Sequence, residues 1–169
     1  MVGNLTVGKK KYAAVEAEVA QALDELAQLR EQLIVLIEAD AQAFEPLAAC
    51  WKMPASTPEE QKIKRDATQA ALVDACAVPL EIMGACAKVI VLCEFMAHNG
   101  SVMALSDAGV AALFAQAALE GASLNIIINA KSIDNEAVAQ DFLIKQRVLI
   151  ETYGNKARET YLFVRAAIA

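Results

Sequence analysis

The fold class that this sequence predicts is all-α, an antiparallel bundle of long helices with one kink at Pro79, and three observations predict it. Of 169 residues, 57% are hydrophobic and only 7 are Gly and 4 Pro, a balance that favours helix and leaves little chain for loops. Apolar residues recur at alternating four- and three-residue steps through Val15, Val19, Ala22, Leu26, Leu29, Leu33 and Leu36, the seam of a long helix packed lengthwise on its neighbours. Thr57-Pro58-Glu59-Glu60 spells a helix start, in which Thr57 caps, Pro58 suits the first helical position and Glu60 returns the capping-box bond. The length fits one domain over 1–169.

Taken in order, the first helix carries the seam, with charges such as Glu18, Asp24, Arg30 and Glu31 between its members, and Pro46 followed by Met53-Pro54 is expected to bend and end it. The second helix runs from Pro58 to about Ala97. Pro79 lies inside it and predicts a kink, because the ring removes one backbone donor and crowds the preceding turn. His98-Asn99-Gly100-Ser101 reads as a turn. Ser106-Asp107 signals a third helix, and Ala108 to Ala130 is almost uncharged on every side, so it belongs at the bundle centre or at a subunit interface. Lys131 to Asn135 reads as a break with Asp134 as the cap. A last amphipathic helix, about Glu136 to Ile168, places Lys156, Arg158 and Arg165 toward its end, where they suit the helix dipole.

Several function classes are excluded or disfavoured. The net charge is -6 and no basic stripe follows the aromatics, so no nucleic-acid partner is expected. Cys50, Cys76, Cys86 and Cys93 form no C-x-x-C pair and have one histidine, His98, for company, so no metal site is expected. They read as buried, reduced thiols of a cytoplasmic protein. Glu81, Lys88 and Glu94 interrupt the apolar stretch from Ala75 to Ala97, which argues against a membrane span. The opening residues lack the layout of a signal peptide.

Asp40 is the candidate catalytic residue. It extends the apolar seam by one regular step, so on a continuing helix its carboxylate points where Leu33 and Leu36 point. A carboxylate there is costly unless it is hydrogen-bonded, hydrated in a pocket or raised in pKa, conditions that also suit a general acid or base. The competing reading is a helix that ends early and leaves Asp40 solvated. Asn125 and Asn129, four apart, share a helix face with Gly121, which would let a ring or backbone approach. They either read the edge of a bound ring or bond to neighbouring helices. Asp107 is either a helix-start residue or a mark of the positive terminus that would hold a ligand carboxylate. Lys9, Lys10 and Lys11 either attract an anionic tail or form a solvated turn.

The motifs, taken together, resemble the formiminotransferase-cyclodeaminase and methenyltetrahydrofolate cyclohydrolase family. Glu38-Ala39-Asp40-Ala41-Gln42-Ala43-Phe44 is similar to the family's D/E-A-D-x-x-A-F, and Asn4 to Tyr12 to its N-L-T-x-G-K-K-x-Y junction. Thr57 to Glu60, Val78-Pro79-Leu80, Asn99-Gly100-Ser101 with Ser106 to Ala111, and Leu124 to Asn129 follow as its T-P-E-E, V-P-L, G-S/N turn with S-D-x-x-V-A, and N-x-x-x-N segments. The matches fall in order along nearly the whole chain.

The resemblance implies an all-helical enzyme of one-carbon metabolism that needs no prosthetic group, acts on a tetrahydrofolate derivative, and forms a homodimer. It implies Asp40 as the proton-transferring carboxylate, with Asn125, Asn129, Asp107 and Lys10 positioning the pterin and its tail. It also implies a glycine-rich segment and an Ala-rich helix ahead of the junction, which are expected to be missing here. Cyclohydrolase is favoured modestly over cyclodeaminase, because no transferase domain is attached. The alternative is a non-catalytic dimerisation protein derived from the family, with the helix over Ala108 to Ala130 as its interface.

Overall fold

A capping box opens the second helix as the sequence expects. The Thr57 side chain accepts a bond from the Glu60 backbone N–H, and the Glu60 carboxylate accepts from the Thr57 N–H. The computed structural model describes residues 1–169. It contains five α-helices and no strand: α1 (Glu16–Trp51), α2 (Pro58–Asn99), α3 (Leu105–Ala130), α4 (Glu136–Leu149) and α5 (Asn155–Ile168). The all-α expectation holds. α2 packs along both α1 and α3, and α5 packs on α3 and α2.

The heptad seam is the buried stripe of α1. Val19, Ala22, Leu29 and Leu36 are buried, Val15, Leu26, Leu33 and Asp40 half-buried, and the stripe continues through Ala43 to buried Leu47 and Cys50. α1 runs on through Pro46 and ends at Trp51, just ahead of Met53-Pro54 as expected, which removes the reading of a helix that ends early. Pro46 is exposed, so its ring and the helical carbonyl it leaves unbonded lie on the solvent side, where water satisfies the loss.

α2 passes unbroken through Pro79 and buries Cys76, Met83, Cys86, Ile90 and Cys93 along one face. With no N–H at position 79, the Ala75 carbonyl four residues earlier has no helical partner. The Asn129 side chain of α3 supplies one, its Nδ2 donating to the Ala75 oxygen at 3.0 Å. The four cysteines are free and buried, as expected. Burial raises the Cys76 and Cys93 thiols to about 11, so they are protonated and unreactive at neutral pH.

Several boundaries differ from the sequence expectations. α3 begins at Leu105, after a 3-10 turn over Val102–Ala104 whose cap is Ser101. Asn135, not Asp134, caps α4, its Oδ1 accepting from the Ala137 and Val138 N–H groups. Asp134 instead pairs with Arg65 of α2 at 2.7 Å, since a carboxylate one residue earlier faces the neighbouring helix. The last helix is divided by a π-turn at Ile150–Gly154, which separates α4 from α5. By length and composition, α2 and the stretch Val102–Ala130 are each apolar enough to cross a membrane, contrary to the expectation drawn from Glu81, Lys88 and Glu94. In this fold they supply most of the bundle core: Ile90, Cys86 and Met83 of α2 meet Ala112, Leu119 and Ile126 of α3.

The N-terminal segment and the α2–α3 turn clasp one another. The Thr6 hydroxyl donates to the Val2 carbonyl at 2.8 Å and accepts from the Ser101 N–H at 2.8 Å. The Val102 N–H donates to the Tyr12 hydroxyl, which lowers the Tyr12 pKa. Gly100 sits against Val2, and a Cβ there would meet the Val2 side chain and the Met96 carbonyl oxygen at 2.7 Å or less. Only glycine allows that approach.

Candidate active site

Two hollows, each lined by α1, α2 and α3, lie at opposite ends of the bundle. The first, about 140 Å³, is lined by Asp40 and Phe44 of α1, Ala75 of α2, and Asn125, Ile128 and Asn129 of α3. Asp40 reaches it because the heptad seam carries the carboxylate to the edge of packed surface, where it is half-buried. It takes part in none of the chain's ion pairs. A carboxylate held in a hollow without a neutralising cation keeps its lone pairs for a ligand or a water molecule.

The two asparagines resolve differently. The half-buried amide of Asn129, a residue of the hollow's lining, is fixed by its nitrogen on the Ala75 carbonyl. The interhelical bond that the sequence reading weighed against ligand recognition is therefore present, and it orients the group. Asn125, one turn earlier on the same face, is exposed. A Cβ added at Gly121, a further turn back, would meet nothing within 4 Å, so that face stays open. One carboxylate and two amides on facing helices can hold a flat, nitrogen-rich ligand by its donor and acceptor edge while a proton moves to or from the carboxylate.

Lys10 and Asp107 do not reach this hollow. At a rise of about 1.5 Å per residue, Asp107 and Asn129 are separated by about 33 Å of α3 axis. Lys10 precedes α1 in an exposed 3-10 turn, about 36 Å of helix from Asp40. Within one chain, the expectation that they join Asp40 in one site is corrected: antiparallel helices put the start of α1 and of α3 at the end opposite Asp40. Asp107 lines the second hollow, also about 140 Å³, with Leu23, Leu26, Cys93, Met96 and other apolar residues. Its Oδ2 is buried without a hydrogen-bond partner.

The sequence reading missed Phe44, Ala75 and Ile128 as lining residues. Phe44 had a signal, since it stands one turn past Asp40 on a helix. So did Ala75, the residue whose carbonyl Pro79 must leave free. Ile128 had none, because nothing in an apolar run marks which member faces a hollow.

Fold and site together define a class: a helical-bundle protein that presents one half-buried carboxylate and two amides in a hollow between helices. Residues 1–147 match the formiminotransferase-cyclodeaminase family. The chain is 38% identical over 168 residues to a methenyltetrahydrofolate cyclohydrolase of Methylorubrum extorquens, covering 99% of this chain and 81% of that one. It is 31% identical over 136 residues to the formimidoyltransferase-cyclodeaminase of Gallus gallus, of which it spans 25%. A crystal structure of formiminotetrahydrofolate cyclodeaminase from Thermotoga maritima superposes with a TM-score of 0.80 at 26% identity, covering 98% of this chain and 77% of that one. This chain belongs to the formiminotransferase-cyclodeaminase family.

Proposed function

We propose that the chain is an enzyme of tetrahydrofolate one-carbon chemistry, a methenyltetrahydrofolate cyclohydrolase or a formiminotetrahydrofolate cyclodeaminase, with Asp40 as its general base or acid. The observation that carries this reading is the meeting of Asp40 with Asn125 and Asn129 in one hollow. The names of the relatives support the substrate class. Likeness to the cyclohydrolase over 99% of the chain favours that reaction.

In the cyclohydrolase reaction, water adds to the methenyl carbon that bridges N5 and N10, and Asp40 takes the proton the water loses. The hydroxyl now on that carbon loses its proton as the carbon–oxygen double bond forms, the bond from the carbon to N5 breaks, N5 takes the electron pair and a proton, and the product is 10-formyltetrahydrofolate. In cyclodeamination, N10 attacks the formimino carbon and gives up its proton, the formimino nitrogen takes up two protons, and its bond to the carbon breaks to release ammonia and 5,10-methenyltetrahydrofolate. Both reactions act on carbon already made electrophilic by two nitrogens, so one positioned carboxylate contributes about 10²- to 10⁴-fold. Asn125 and Asn129 hold the pterin edge. No prosthetic group or metal enters this reading.

The reading includes a homodimer and a cytoplasmic location. A hollow of about 140 Å³ is smaller than the usual range of about 300 to 1,000 Å³ for a small-molecule site. The apolar surface beside it on α3 is bare, with Leu124 64% and Ile128 67% exposed. A second copy laid on this face would cover the apolar side chains and deepen the hollow. The buried, reduced thiols fit the cytoplasm.

The test is the loss of 5,10-methenyltetrahydrofolate near-ultraviolet absorbance with the wild-type chain and Asp40→Asn, beside sedimentation to read the oligomeric state. Turnover in the wild type that falls at least 100-fold in Asp40→Asn is expected. Equal rates in both would overturn the assignment of Asp40. Folate binding without turnover would favour a damaged or repurposed enzyme, and a dimer with neither binding nor turnover would favour the assembly protein.

A further inference from the structure

Phe44 has no role in the reaction described above, yet it lines the same hollow as Asp40. It is 46% exposed, costly for a phenyl ring that could have been turned into the core. Its position on α1, one turn beyond Asp40, places its Cα about 6 Å along the helix axis from that of the carboxylate residue. The ring is fixed by a neighbour. Trp51, two turns further along α1, meets it in an edge-to-face contact with ring centroids 5.7 Å apart and planes at 76°.

That contact does little to hide Trp51, which is itself 65% exposed. An edge-to-face pair takes up at most one face of the Phe44 ring. An exposed aromatic ring lining a hollow that holds a carboxylate and two amides, with a second aromatic packed against it from outside the hollow, matches the layout of a site in which a flat conjugated ligand stacks while polar groups read its edge. Asn125 and Asn129 supply the edge contacts on α3, and α1 supplies the flat wall.

We infer that Phe44 is the aromatic wall on which the conjugated ring of the substrate lies, and that Trp51 is a positioning residue that holds the Phe44 ring in place. The inference rests on the proposed folate chemistry and extends it, because it assigns binding of the ring system to residues that take no part in proton transfer. Stacking stabilises the bound ground state and the transition state alike, so its loss raises KM and leaves kcat nearly unchanged.

The test compares Phe44→Leu, Phe44→Tyr, Trp51→Leu and Trp51→Phe with Asp40→Asn in the same 5,10-methenyltetrahydrofolate assay. Phe44→Leu keeps apolar bulk without an aromatic face, and it is expected to raise KM about tenfold, as for loss of one ring-stacking contact, with kcat within about twofold. Phe44→Tyr is expected to stay near the wild type. Trp51→Leu is expected to raise KM about threefold and Trp51→Phe to restore it, a rescue that loss of general stability would not give.

Trp51 is the chain's one tryptophan, so its emission in a titration with 5-formyltetrahydrofolate reads binding in the wild type and Phe44→Leu without turnover. Weaker binding by Phe44→Leu supports the inference. If Asp40→Asn loses turnover while Phe44→Leu keeps both its KM and its affinity, the aromatic wall is refuted and the proposed reaction stands. If the wild type neither turns over nor binds folate, both readings fall.

Discussion

The two hollows of this bundle are similar in size, are lined by the same three helices and each carry an aspartate, yet they differ in what surrounds the carboxylate. At the Asp40 end, two side-chain amides share the hollow, and the acid is half-buried and unpaired. At the Asp107 end, the other lining groups are almost all apolar, and one carboxylate oxygen is buried without a partner. A proton-transfer group needs access to its substrate and neighbours that orient that substrate, whereas a sealed, unpartnered oxygen has neither. The motifs of the far end, including Thr6, Tyr12, Gly100 and Ser101, bond to one another and close the clasp between the N-terminal segment and the α2–α3 turn. On the proposed reading, a match to a family motif is a chemical signal at one end and an architectural one at the other.

The largest effect that sharpens this contrast is on turnover. Asp40→Asn is expected to lower kcat by about 10²- to 10⁴-fold, while Asp107→Asn leaves it within about threefold, as measured in the methenyltetrahydrofolate assay. A comparable loss in both variants would erase the distinction between the two ends.

Next in size is the core that both ends share. Leu119→Ala is expected to cost about 2 to 5 kcal/mol of stability by chemical denaturation, because Leu119 is fully buried between α2 and α3.

Asn129 comes third, and it separates positioning from packing. Asn129→Ala leaves the Ala75 carbonyl unbonded and is expected to cost about 1 to 3 kcal/mol. Pro79→Ala restores a backbone donor to that carbonyl, so the double variant is expected to lose less stability than Asn129→Ala alone. Asn125→Ala, on an exposed position, is expected to raise KM without moving the melting temperature. Additive losses for Pro79 and Asn129 would disprove the coupling.

The smallest effect lies at the far end. Asp107→Leu replaces a partly buried, unpartnered carboxylate with a side chain that suits its apolar lining, and it is expected to stabilise the fold by about 1 kcal/mol, seen as a rise in melting temperature. Cys93 of the same hollow and Cys76 near the other end both have raised folded-state pKa values. Their contribution to stability is therefore whole below pH 9, the thiol value in the unfolded chain, and fades as pH rises from there to about 11. Stability flat across pH 9 to 11 would contradict their burial.

The family, the all-α class, the seam of α1 and the capping box of α2 were legible in the sequence, because each is a local pattern of spacing or of residue order. Asp40 stood out for the same reason, as a charge on a periodic apolar stripe. Some helix boundaries were less legible: Asn135 rather than Asp134 caps α4 because the Asp134 carboxylate is taken by Arg65, and a π-turn divides the last helix.

What the sequence determined by itself is which residues pair within a helix, since helical neighbours are set by 3.6 residues per turn. Only the tertiary structure decided which ends meet. The antiparallel course of α1, α2 and α3 put Asn129 beside the carbonyl that Pro79 leaves free and brought Asp40 to the same hollow, while the same course carried Lys10 and Asp107 to the other end. Helix periodicity fixes a face, but the distance between two faces depends on how helices far apart in the chain pack.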